Sequence, residues 1–131
     1  MSTPYSKLYT PPAPSLSVTF GLIGERPAFG PYDALVDSGA DMTIVPRPLF
    51  DARLRGQWDE RRLVRLYLVD VEIEAVRLPS VYVAGDPDGE EIILGRNILN
   101  KLPLFLDGPT ERTEALDDAI VKRLRSRRST R

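Results

Sequence analysis

A chain of 131 residues, 42% hydrophobic and 28% charged, has the size and composition of one globular domain. It contains neither Cys nor His, which excludes disulfides, thiol nucleophiles, thiolate or imidazole metal sites and Ser-His-Asp or Cys-His catalysis. The net charge of −1 is uneven: the last ten residues, KRLRSRRSTR, hold six of the 18 basic residues and no acidic one, so residues 1–121 carry −7.

Residues 1–14 hold Pro4, Pro11, Pro12 and Pro14 without hydrophobic periodicity and read as a flexible leader, extended or disordered. From there, Leu16, Val18, Phe20 and Leu22 alternate with Ser17, Thr19 and Gly21, the pattern of a strand with one buried face. Two Gly and two Pro within residues 24–31 mark a turn. A second strand over 32–36 ends in Ala34-Leu35-Val36 and runs straight into Asp37-Ser38-Gly39-Ala40-Asp41. A short strand over 42–45 is stopped by Pro46 and Pro48, and residues 47–56 fit a short helix ending at Gly56. Residues 63–76 form a long extended segment, with Leu63, Arg65, Tyr67, Val69, Val71, Ile73 and Ala75 on one face and Val64, Leu66, Leu68, Asp70, Glu72, Glu74 and Val76 on the other. The alternation is clean only from Val69 to Ala75, and the segment is either one bent strand or two broken near Asp70.

Pro79 opens a further strand through Val81, Val83 and Ala84, and Asp86-Pro87-Asp88-Gly89 is a turn signal. Ile92-Ile93-Leu94 is a short apolar strand leading to Gly95-Arg96-Asn97 and a short helix over 98–102. Leu104-Phe105-Leu106 is a last short strand, closed by Asp107-Gly108-Pro109. From Thr110 the period becomes helical: Leu116, Ala119, Ile120 and Leu124 share a face, with Thr110 or Thr113 as cap. This face is expected to pack on the body or on a partner. The whole is mostly β, a small barrel or sandwich-like fold.

No segment approaches the roughly 18 apolar residues of a membrane span, and residues 1–15 lack the apolar core of a signal peptide. The expectation is a cytoplasmic protein without membrane contact. The basic tail over 122–131 reads either as a nucleic-acid contact or as a solvated terminus. The second reading is adopted, since short charged ends are usually disordered, and nucleic acid is not expected as a partner.

The chemistry concentrates in Asp37-Ser38-Gly39-Ala40-Asp41. A buried strand delivers a carboxylate into a tight loop, with a hydroxyl beside it and a Gly that lets another backbone approach. By itself the window is equally a strand end capped by an Asx turn. A second window, Ile93-Leu94-Gly95-Arg96-Asn97, begins about 55 residues later. The two windows together resemble the retroviral-type aspartic proteases, the retropepsin-like family, and the likeness is greatest to its compact non-viral members. The resemblance spans roughly residues 16–109.

It implies an all-β retropepsin-like half-barrel over 15–109 with a short helix after the Gly-Arg-Asn motif; the helical period and basic charge of 110–131 add a C-terminal helix and tail. It implies Asp37 as the catalytic aspartate and Ser38 as the hydroxyl that locks two catalytic loops across a two-fold axis. Gly39 would offer its carbonyl to the substrate backbone, beside Ala40. Asp41 and Arg96 would form a structural ion pair, and Gly95 would pack behind the loop. The implied activity is an aspartic endopeptidase with no cofactor and no metal.

Metal-free hydrolysis of a peptide bond by water requires a base and an acid. Two close carboxylates sharing one proton serve as both. Only one Asp-Ser-Gly occurs, so Asp37 would meet Asp37 of a second chain in a homodimer acting on a polypeptide substrate. The family's Gly-rich flap would fall between Phe50 and Leu68, where the candidates are Gly56, Gln57 and Trp58. A flap with a single Gly is short or differently built. It leaves open a catalytically weak or inactive module used for dimerisation or peptide binding. Five arginines crowd this region (Arg53, Arg55, Arg61, Arg62 and Arg65) and read mainly as a solvated basic loop, with a preference for acidic substrate residues as the alternative. Residues 86–91 lack the full calcium-loop pattern and read as a hairpin turn.

Overall fold

A computed structural model of the chain describes residues 2–54, 58–61 and 64–129. The elements in chain order are β1 (Ser2–Pro4), β2 (Ser15–Gly21), β3 (Phe29–Val36), β4 (Ile44–Pro46), α1 (Arg47–Leu54), β5 (Trp58–Arg61) and β6 (Val64–Ile73). There follow β7 (Val76–Asp86), β8 (Ile92–Leu94), α2 (Arg96–Leu99), β9 (Leu104–Asp107), β10 (Arg112–Ala115) and α3 (Asp118–Ser129). No helix among the described residues is long and apolar enough to cross a membrane.

Seven strands form one sheet in the order β2-β3-β8-β4-β7-β6-β5. The ten-residue β6 serves two partners along one edge: its first half pairs with β5 and its second half with β2. The β2–β6 pairing closes a circuit of six strands, with β5 left outside it. Alternation decides what the circuit encloses. Leu16, Val18 and Phe20 of β2 and Tyr67, Val69, Val71 and Ile73 of β6, every second residue of each strand, are fully buried. Phe50 of α1 plugs one part of this core, edge-on to Phe20 at 4.9 Å and to Phe29 at 5.4 Å. Truncating such a ring costs about 3–5 kcal/mol.

Register slips between Val69 and Val71, where the sequence allowed either a bend or a break. The extra residue lies on β7, and Asp70, on the face opposite Val69 and Val71, is 2% exposed. Its carboxylate accepts the amides of Ser80 (2.9 Å) and Gly24 (3.1 Å) and pairs with Arg77 at 3.0 Å. The Ser80 amide foremost, with Arg77 and Gly24, holds this carboxyl below its ordinary 3.8 against the opposing effect of burial.

Two sequence expectations are corrected. Residues 1–14 are not an unpaired leader: β1 pairs antiparallel with β10, and Ser6 bridges to Ala13. Nor does a helix begin at Thr110: β10 lies between β9 and β1 in a three-stranded sheet, and Arg112 binds the Ser2 hydroxyl and carbonyl at 2.6 and 3.0 Å. On one side β10 pairs with its neighbour β9, and on the other with β1 more than 100 residues away, which nothing local in the sequence announces. The helix starts at Asp118, capped by Asp117, whose Oδ1 accepts the Ile120 amide at 2.9 Å. Thr113, one expected cap, is instead buried in β10. Of the expected apolar face, Leu116 and Ile120 are half-buried, while Ala119 is exposed and Leu124 is 47% exposed.

Candidate active site

β3 and β8 run parallel, with Val36 opposite Leu94. This register brings together two motifs that are far apart in sequence. The Asp37 amide donates to the Leu94 carbonyl at 3.1 Å, so the carboxylate-bearing loop starts beside Gly95. Asp37 is half-buried, whereas Ser38 and Gly39 are exposed. The loop is tight: the Asp37 carboxylate accepts the Gly39 amide at 2.9 Å, and its carbonyl accepts the Ala40 amide at 3.1 Å.

α2 braces the loop from behind. The Arg96 amide donates to the Ala40 carbonyl at 2.7 Å, and the Arg96 guanidinium to the Ser38 carbonyl at 2.9 Å. The expected ion pair between Asp41 and Arg96 is not formed; both side chains are exposed, and Arg96 spends its charge on the Ser38 backbone instead. A carbonyl fixed by two neighbouring turns is a closer partner than a solvated carboxylate. Gly95 has no room for a side chain, since a Cβ there would stand 2.5 Å from the Met42 carbonyl carbon and oxygen and 2.9 Å from the Ala40 oxygen.

The sequence reading overlooked Thr43 and assigned no role to Asn97. Thr43 is fully buried; its hydroxyl donates to Asn97 Oδ1 at 2.8 Å and accepts the Gly95 amide at 3.1 Å. The Thr43 amide also reaches Asn97 Oδ1, and Asn97 Nδ2 donates to the Tyr82 carbonyl at 2.8 Å. This network fastens the exit of the Asp37 loop to α2 and β7. A buried hydroxyl six residues after the aspartate was the available signal, since such a group needs partners.

β5 and the start of β6 form a hairpin, with Trp58 opposite Tyr67 and Arg61 opposite Val64. Gly56 and Gln57 lie outside the described residues. The register puts Trp58 at the base of this hairpin, opposite Tyr67, and Arg61 next to its tip. Arg65 is not part of a solvated loop: it pairs with Asp51 of α1 at 2.7 Å. Tyr67 donates its hydroxyl to the other Asp51 oxygen at 2.5 Å. Burial by itself would raise the Asp51 carboxyl, but hydrogen bonds from Tyr67 and Arg65 and the charges of Arg65 and Arg47 hold it low. Burial and the Asp51 bond push the Tyr67 phenol well above its ordinary value. This cluster docks α1 on the sheet.

The 86–91 segment is a turn: the Asp86 carbonyl accepts the Gly89 amide at 3.2 Å and its carboxylate the Asp88 amide at 3.0 Å.

The fold is mostly β and retropepsin-like. Among solved structures, the chain is similar to the retroviral protease-like domain of Ddi1 from Leishmania major. The TM-score is 0.50 at 18% identity, over 77% of this chain and 87% of that one. No protein-family model matches the sequence, and no curated protein matches it.

Proposed function

We propose that this chain is an aspartic endopeptidase that acts as a homodimer. One observation carries the reading: an Asp-Ser-Gly loop and a Gly-Arg-Asn turn stand side by side at the ends of two parallel strands of a retropepsin-like fold. The Asp37 carboxylates of two copies, about 3 Å apart, share one proton because both cannot ionise together. The ionised one takes a proton from water as it attacks the scissile carbonyl, and the protonated one gives its proton to the carbonyl oxygen. Exposure of Ser38 and Gly39 favours this arrangement, since both are open to a facing loop and to substrate. The braces from Arg96, Gly95 and Thr43 keep the carboxylate in one orientation.

The test is cleavage of a diverse peptide library from acidic to neutral pH by wild type and Asp37→Asn. The expected result is cleavage by the wild type and a loss of at least about a thousandfold in the variant. Absence of cleavage by both, in samples shown to be dimeric, would make the chain a dimerisation or peptide-binding module.

A further inference from the structure

β8 has a second face. Ile92 and Leu94 point into the core, so Ile93 between them points the other way and is half-buried. Its ladder partner on β4 is Ile44, also half-buried. These two side chains line a cleft of about 590 Å³. One wall is the turn after β7, with Asp86, Asp88, Glu90 and Glu91; Tyr9 and Leu8, the latter 94% exposed, lie on another. The cleft borders the framework of the Asp37 loop. Leu94, whose carbonyl holds the Asp37 amide, directly follows Ile93, and Ile44 directly follows Thr43.

Among the described residues, no basic side chain lines the cleft and no ion pair engages these four acids. Carboxylates on a low-dielectric wall focus a negative field into the space they enclose. An apolar floor under an acidic wall matches a side chain with an aliphatic stem and a cationic head.

We infer that this cleft selects a basic segment of a polypeptide substrate. A Lys or Arg near the scissile bond lays its stem along Ile44 and Ile93 and brings its charge to Glu90 and Glu91. The inference rests on the endopeptidase reading for the fate of the bound peptide, but not for its binding.

The experiment uses the full chain carrying Asp37→Asn and three fluorescein-labelled peptides that differ only in the residues flanking an apolar centre: Arg, Gln or Glu. The Arg peptide is expected to bind about tenfold more tightly than the Gln peptide, and the Glu peptide more weakly than both. Adding Glu90→Gln and Glu91→Gln, both at exposed positions, is expected to remove most of that preference. Equal binding of all three peptides, or a preference unchanged in the Gln variants, would overturn the inference. So would a peptide of residues 120–131 binding about tenfold more tightly than the Arg peptide, because the occupant would then be the basic tail of a second copy. The wild type is tested on the same peptides. Charge-selective binding without cleavage would overturn the endopeptidase reading while supporting this one, and cleavage indifferent to flanking charge would do the reverse.

Discussion

Thr43 has both sides of its hydroxyl engaged, donating to Asn97 and accepting from Gly95. Thr43→Val keeps the shape and removes the oxygen. The Gly95 amide then loses a buried acceptor, at a cost of about 1–3 kcal/mol. A lowered midpoint in urea denaturation is the expected result, with reduced peptide cleavage where Asp37 is active, because the loop behind the carboxylate loosens. Asp70 makes the opposite kind of case, a buried charge fully paired. Its carboxyl titrates below the ordinary 3.8 in the fold, so its stabilisation is complete above that value and is lost as pH falls through the folded pKa. Asp70→Asn should therefore cost about 2 kcal/mol at neutral pH, with the two unfolding curves converging in acid.

Hydrogen-bonding partners and bulges shape the elements as much as their own side chains do. The sequence pattern left β6 as one bent strand or two; it is one strand, shared between β5 and β2, with a register shift against β7 beside Asp70. The turn from β6 to β7 places Glu74 at a positive φ of 54° with its Oε1 buried and unpaired. Burial, with the nearby charge of Glu114, raises the Glu74 carboxyl above its ordinary 4.5, while the Ala115 amide of β10 offsets part of this. A raised acid favours the fold in its neutral form. That contribution is present below the unfolded pKa and disappears as pH rises through the folded one. Glu74→Gln is thus expected to raise the melting temperature at neutral pH by a few degrees and to leave it nearly unchanged in acid. Scanning calorimetry across that range reads both effects.

At the scale of the molecule, the β2–β6 pairing closes the strand circuit, while the three-stranded sheet ties residues 2–4 to residues 112–115. The Asp37 loop stays outside both, with Ser38 and Gly39 exposed. If two such loops meet, the hydroxyl of Ser38 is at the junction. Sedimentation is expected to show a dimer for the wild type and about tenfold weaker association for Ser38→Ala, the size of one lost charge-free hydrogen bond per loop. A monomer at all concentrations would remove the paired-carboxylate mechanism.

Alternation in β2, and from Val69 to Ile73 in β6, marks a face that recurs every second residue; before Val69 both faces of β6 are apolar and only packing selects the Tyr67 face. Two motifs, Asp37-Ser38-Gly39 and Gly95-Arg96-Asn97, were likewise legible, since tight loops demand particular residue types at fixed spacing. What the sequence left open depends on partners far along the chain. β1 and β10 are too short to carry a pattern of their own: β1 takes its ladder from β10, and β10 from β1 and β9. Arg96 faces a choice between the Asp41 carboxylate and the Ser38 carbonyl, and loop geometry settles it for the carbonyl. Residue type fixes which chemistry a side chain can perform; only the assembled fold decides which of several acceptable partners lies within 3 Å of it.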